Sequence, residues 1–316
     1  MIDYTIYFRE NLPLDSEWGA EYDIFISAYN ASDRVIDVFN RVRAKKKIWI
    51  LHKEYEFVEG QYPDGVNFVC GSDDEADCIL SFSDAHLEGR DITTTKICID
   101  ITGLMRPHLA FFIMHLYQRG FTKIDAIYSE PSHYKRKENT QFSSTPVHKV
   151  RQVAGFEGVM NNDNSNDLLI IGAGYESDLI ADVADEKDKA KKIVLLGLPS
   201  LRADMYQQNA WRAQQASDSI GESTASKVFA PANDPFVTAS VLSELVAKRE
   251  MSEPITNLYL SPIATKAQTL GFVLFFLGER QRTSTSLIFP FSQSYARDSA
   301  TGISRVWLYT LEFPFP

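Results

Sequence analysis

Ile97-Cys98-Ile99-Asp100-Ile101-Thr102-Gly103-Leu104-Met105-Arg106-Pro107 reads as a buried strand that ends in Asp-x-Thr-Gly and passes directly into a helix starting near Arg106. Such a turn can serve a ligand: Gly103 lets backbone N–H groups approach, Thr102 adds a hydroxyl, and the helix N-terminus favours an anion. Arg106 in the first helical turn could offer its guanidinium fork to a phosphate. The same residues read equally well as a cap, a turn and a solvated arginine.

Working outward, short apolar runs rich in β-branched and aromatic residues alternate with amphipathic stretches. Strands are expected at Thr5–Phe8, Tyr22–Ser27, Lys47–His52, Cys78–Phe82, Lys96–Asp100 and Lys123–Ser129, with helices at Ser32–Lys45 and Arg106–Arg119. The alternation breaks between Pro131 and Asn166, which holds the basic run Lys135-Arg136-Lys137 and the Asn-rich run 161–166, read as a turn or linker. It then restarts with strands at Asp167–Gly172, Lys192–Gly197, Lys227–Ala230, Thr256–Ser261, Thr285–Phe289 and Arg305–Phe313. The intervening helices are Glu176–Ala184, Ala203–Gln215, Pro235–Lys248 and Lys266–Leu277. The expected fold is α/β, two tandem Rossmann-like units with largely parallel sheets. The expected division is a first domain over 1–150, a linker over 151–166 and a second domain over 167–316.

Composition limits the function. The chain has 316 residues, enough for two cores, and a net charge of −10. That acidity argues against an extended nucleic-acid surface, while a small anionic ligand in a local pocket remains compatible. Cys70, Cys78 and Cys98 form no CxxC pair and are odd in number, which argues against a disulfide framework or a structural zinc and for a reducing cytosol. No histidine stands at metal-ligand spacing, so no metal and no cofactor are expected. Leu109–Leu116 and Leu270–Leu277 are the longest apolar stretches and too short to span a membrane, and no secretory signal is visible. A cytoplasmic protein is expected.

A second strand-to-helix turn, Ser261-Pro262-Ile263-Ala264-Thr265-Lys266-Ala267-Gln268, stands at a comparable place in the second half, with Lys266 as a point charge for a phosphate or simply a surface lysine. Asp100-Ile101-Thr102-Gly103-x-x-Arg106 resembles the strand-to-helix motif of CARF domains, the Rossmann-like sensors of cyclic oligonucleotides in prokaryotic antiviral systems. Ser261-Pro262-x-x-Thr265-Lys266-x-Gln268-x-x-Gly271 is similar to the Thr-Gly-Gly-Thr-Lys form of that motif, with Ile263 and Ala264 in place of the glycines. Two such halves in one chain also resemble SAVED domains. The resemblance covers about two dozen residues and implies a nucleotide-signal sensor in defence.

Other segments compete. Glu21 through Asp33 is similar to the first strand and loop of TIR domains, which include NAD-cleaving enzymes that rely on a glutamate; Glu54 and Glu56 follow the next strand. Tyr128 through Tyr134 follows a strand, and Glu130 and Tyr134 there could hold a base or ribose. Gly172-Ala173-Gly174 lacks the third glycine and the downstream acid of a dinucleotide turn, and Glu176 reads as a helix-dipole partner. Arg202, Tyr206, Asn209 and Arg212 form a polar helix face, and 292–305 reads as a lid or a hairpin loop. No GxSxG elbow, Walker A loop or nuclease core is present.

The expectation is a nucleotide-binding sensor or regulatory subunit acting through a partner protein of a defence operon or through oligomerisation. Ser27, Tyr29, Asn30, Thr102, Gly103, Arg106, Glu130 and Tyr134 would serve the first half, and Ser261, Thr265, Lys266 and Gln268 the second. The alternatives are a nucleotide- or NAD-processing glycosidase-like enzyme, with Glu54, Glu130 or Glu176 as acid–base residue, and a structural interaction subunit.

Overall fold

The computed structural model describes residues 1–16, 18–134, 149–174, 176–202, 207, 211, 226–292, 295, 297 and 300–315. The chain divides into two compact units, one of Tyr7–Thr145 with Gln293–Phe315, the other of Pro146–Ser292 with Met1–Ile6.

The first unit holds β1 (Arg9–Leu12), β2 (Trp18–Ala28), β3 (Val42–Leu51), β4 (Val66–Val69), β5 (Ile97–Asp100), β6 (Lys123–Tyr134) and, from the end of the chain, β13 (Ala300–Glu312). Their order is β1-β13-β6-β5-β2-β3-β4. The pairs among β2 to β6 are parallel, whereas β13 runs antiparallel to both β6 and β1. Helices α1 (Asp33–Arg41), α2 (Glu75–His86) and α3 (Arg106–Gln118) supply the crossovers. Phe25, Val35, Val38, Trp49, Cys98 and Ile127 pack together in its core.

The second unit holds β7 (Lys149–Gln152), β8 (Leu168–Gly172), β9 (Lys191–Gly197), β10 (Ser226–Ala230), β11 (Leu258–Pro262) and β12 (Thr285–Phe291). Their order is β10-β9-β8-β11-β12-β7, parallel except for the edge strand β7. Its helices among the described residues include α4 (Ser177–Glu186), α5 (Pro235–Ser252) and α6 (Lys266–Phe275), the last continued by a π turn. Leu169, Ile171, Val183, Val194 and Ile263 lie in its core. Both units thus carry a doubly wound, Rossmann-like order that reverses between the first and fourth parallel strands, at β2/β5 and at β8/β11. Among the described residues, no helix is long and apolar enough to cross a membrane.

Several expectations change. Cys78–Phe82 is not a strand but part of α2, because Asp74 caps the backbone N–H groups of Ala76 and Asp77 and places Cys78, Ile79 and Phe82 on one buried face. Thr5–Phe8 gives way to a 3-10 turn, Tyr4–Ile6, belonging with the second unit. The closing strand, read with the second domain, pairs with β6 in the first. The 151–166 stretch is no linker: β7 begins it, Val153 and Phe156 are buried, and the Asn257 side chain ties down the Asn-rich run through Asn161 O, Asp163 O and Asn164 Oδ1. Cys70 and Cys78, at the end of β4 and in the first turns of α2, are paired as a disulfide. The helix expected over Ala203–Gln215, with Tyr206, Asn209 and Arg212, and the basic run 135–137 lie outside the described residues.

Candidate functional site

The strand order of the first unit brings the carboxyl ends of β2 and β5 side by side, where the sequence places Ser27 to Asn30 against Asp100 to Arg106. What forms there is a buried polar network. The Ser27 hydroxyl donates to Asp100 Oδ2 at 2.9 Å, and the Thr102 backbone N–H donates to Asp100 Oδ1 at 2.9 Å. Thr102 Oγ1 accepts the Ser129 N–H at 3.0 Å, and the Arg34 guanidinium donates to Ser129 O at 2.7 Å. Burial raises the Asp100 carboxyl above its usual range, opposed by its bonds to Thr102 and Ser27 and by the Arg34 charge.

Gly103 is required by packing. A Cβ there would stand 1.9 Å from Ala28 O, so the glycine exists to let two strand-end loops touch. Ser27 and Thr102 likewise spend their hydroxyls internally. Of the expected first-half residues, Tyr29 and Arg106 remain half-exposed. Tyr29 stacks edge-on against Trp49 and tilts over Phe57, with centroids 5.4 and 4.9 Å apart. Arg106 begins α3, and its charge acts on buried Tyr55, whose hydroxyl donates to Gly103 O. Asn30 accepts the Ser32 N–H. Glu130 is buried, and its Oε1 accepts the Trp307 indole N–H at 2.6 Å, which makes it a strut between β6 and β13. The Tyr134 side chain lies outside the described residues.

The connection from β3 to β4 contributes more than the sequence suggested. It carries two 3-10 turns, Lys53–Tyr55 and Glu59–Gln61, in place of a helix. Glu54 is 7% exposed, and burial pushes its carboxyl up to about 7. His52, directly after β3, and His108, in the first turn of α3, are each 1% exposed, and their rings meet at 4.3 Å. Their donor atoms and that of Glu54 lie within 4.8 Å of one another, as do those of His52, Cys70 and Cys78. The histidines show no ligand spacing in the sequence because these donors come from separate elements. Arg297, from the segment read as a lid, lies 4.4 Å over Phe57 and donates to Tyr55 O, while the Tyr295 N–H donates to Glu54 O.

An open cleft of about 570 Å³ lies beside α1, lined by Asp33, Arg34, Asp37, Arg41 and Gly302 among others. Arg34 joins its wall to the Ser129 network. None of the residues expected to bind ligand lines it.

In the second unit, Gly174 lies against Ile263, where a Cβ would come within 2.5 Å of the carbonyl oxygen. Thr265 caps α6 by accepting the Gln268 N–H at 3.1 Å, and Gln268, 1% exposed, donates to Ala230 O. Ser261 is fully buried, its hydroxyl without a hydrogen-bond partner. Lys266 is half-exposed in the first turn of α6, and Glu176 is buried at the N-cap of α4.

No protein-family model and no curated protein matches the sequence. Among solved structures, a glycosyl transferase family 9 protein from Veillonella parvula aligns over 86% of this chain and 87% of its own, at 9% identity and a TM-score of 0.23. An N-terminal ketoreductase from a macrolactin assembly line aligns over 89% of this chain and 72% of its own, at 8% identity and a TM-score of 0.24. Neither likeness bears on the chemistry of the site.

Proposed function

We propose that the chain is a nucleotide-binding sensor whose site lies at the carboxyl ends of β2 and β5 in the first unit. The observation that carries this reading is the placing of half-exposed Arg106 at the positive end of α3, at the reversal of strand order where half-exposed Tyr29 follows β2. Arg106 and the α3 N-terminus would take phosphate, and Tyr29 would stack on a base. Asp100, Ser27 and Thr102 position the two loops without touching the ligand. The CARF resemblance suggests a cyclic oligonucleotide as signal and antiviral defence as context, with output through a partner protein or self-association.

Thermal melting of the purified chain against cyclic di- and oligonucleotides, NAD, ADP-ribose, ATP and nucleoside monophosphates tests the reading, with recovered ligand identified by mass spectrometry. A ligand at a hundred times its dissociation constant adds about 2.7 kcal/mol. The expected result is a shift with intact ligand, lost in Arg106→Ala and kept in Lys266→Ala. A shift with chemically altered ligand makes the protein an enzyme and overturns the sensor; no shift with any nucleotide removes nucleotide binding altogether.

A further inference from the structure

We infer that His52, Glu54 and His108 form a binding site for one divalent transition-metal ion of the zinc class, which pins the end of β3 to the start of α3. This goes beyond nucleotide sensing and does not depend on it.

Three observations converge. The donor atoms of the three side chains lie within 4.8 Å of one another. A tetrahedral ion with bonds of about 2.1 Å needs donor separations of about 3.4 Å, which lies inside that ceiling. All three residues are buried, and Glu54 Oε2 has no hydrogen-bond partner there. Burying a carboxylate oxygen with nothing to offset its lost hydration is costly, and a cation is one group that repays it. Two imidazoles and one carboxylate are a donor set that zinc and its neighbours accept in three-ligand sites, leaving one position for water or another oxygen.

The sulfurs of Cys70 and Cys78 share His52 with this set but are bonded to each other. Thiolates, not disulfide sulfurs, ligate metals. The histidine–glutamate set is therefore the one that stands with the disulfide intact. A dithiol reductant, itself ending as a disulfide, would deliver two electrons and two protons to make two thiols, and their thiolates would then compete for the same ion.

The test is to strip the full chain with a chelator, without reductant, and titrate it with Co²⁺ and then Zn²⁺. One ion per chain is expected, with visible Co²⁺ bands and no thiolate charge-transfer band in the near ultraviolet. Glu54→Gln and His108→Asn should each weaken binding by about a hundredfold or more, since losing even an outer-shell partner costs about ten- to a hundredfold. The double variant Cys70→Ser, Cys78→Ser should bind unchanged. No retained ion, undiminished binding by a folded Glu54→Gln, or a thiolate band in the unreduced protein would each overturn the assignment. If His108→Asn does not fold, the spectrum of the unaltered chain and Glu54→Gln still decide.

Discussion

The two units share one strand order and differ in what fills the point where it reverses. In the first, Ser27, Asp100, Thr102, Ser129 and Arg34 are buried and bonded to one another. In the second, the corresponding space is closed by Ala173, Ile263, Ala264 and Phe272, with the buried Ser261 hydroxyl left unbonded. A glycine allows the loops to touch in both, but from opposite sides: Gly103 follows β5, whereas Gly174 follows β8. Topology brings two strand ends together; it does not decide what chemistry they carry. Partners offset the burial of a polar filling, whereas an unpartnered buried polar group, such as the Ser261 hydroxyl, costs about 1–3 kcal/mol.

The sharpest way to test this contrast is by substitution in urea denaturation. Phe272→Ala should be the most damaging, about 3–5 kcal/mol, because the ring is fully buried in the apolar second unit. Gly103→Ala should cost about 3 kcal/mol, since the added methyl meets a backbone carbonyl at 1.9 Å, and Gly174→Ala somewhat less, at 2.5 Å. The reverse ranking of the two glycines would break the comparison. Thr102→Val should cost about 1–3 kcal/mol by orphaning the Ser129 N–H, whereas Ser261→Ala should be neutral or stabilising, because it removes an unpartnered buried hydroxyl. Equal losses at those two positions would mean that the second unit's serine has a partner after all.

The smallest effect is in pH dependence. Burial raises Asp100 in the folded state, so between the ordinary carboxyl value of about 4 and its folded value the native protein holds a proton that the unfolded chain has lost. Stability should therefore fall as pH rises through that window. Asp100→Asn should reduce this slope, leaving the share of the raised Glu54 carboxyl, while keeping an acceptor for the Thr102 N–H. An unchanged slope would place the titrating group elsewhere.

The doubly wound fold was legible because its buried parallel strands are continuous apolar runs, as in Ile97–Asp100, bounded by turn residues. Cys78–Phe82 misled because a short apolar run fits strand and helix alike, and only the Asp74 cap decides between them. The chain's return to β6 left no local signal, since strand pairing is set by distant residues. At the candidate site, the turn and α3 were legible, but the residues that meet there were not. Arg34 meets Ser129 and sets its charge on Asp100, and His52 meets His108, through long-range register and crossover geometry that no spacing within one segment records.

The position of β13 between β1 and β6 sets an order of assembly on the ribosome. Tyr7–Thr145 emerges before the strands of the second sheet, yet β6 has an open edge and β1 has no partner until 300–312 leave the exit tunnel. Every strand of the second sheet is synthesised in between. The unit begun before the second sheet is thus completed after it, and during elongation it presents an unpaired edge.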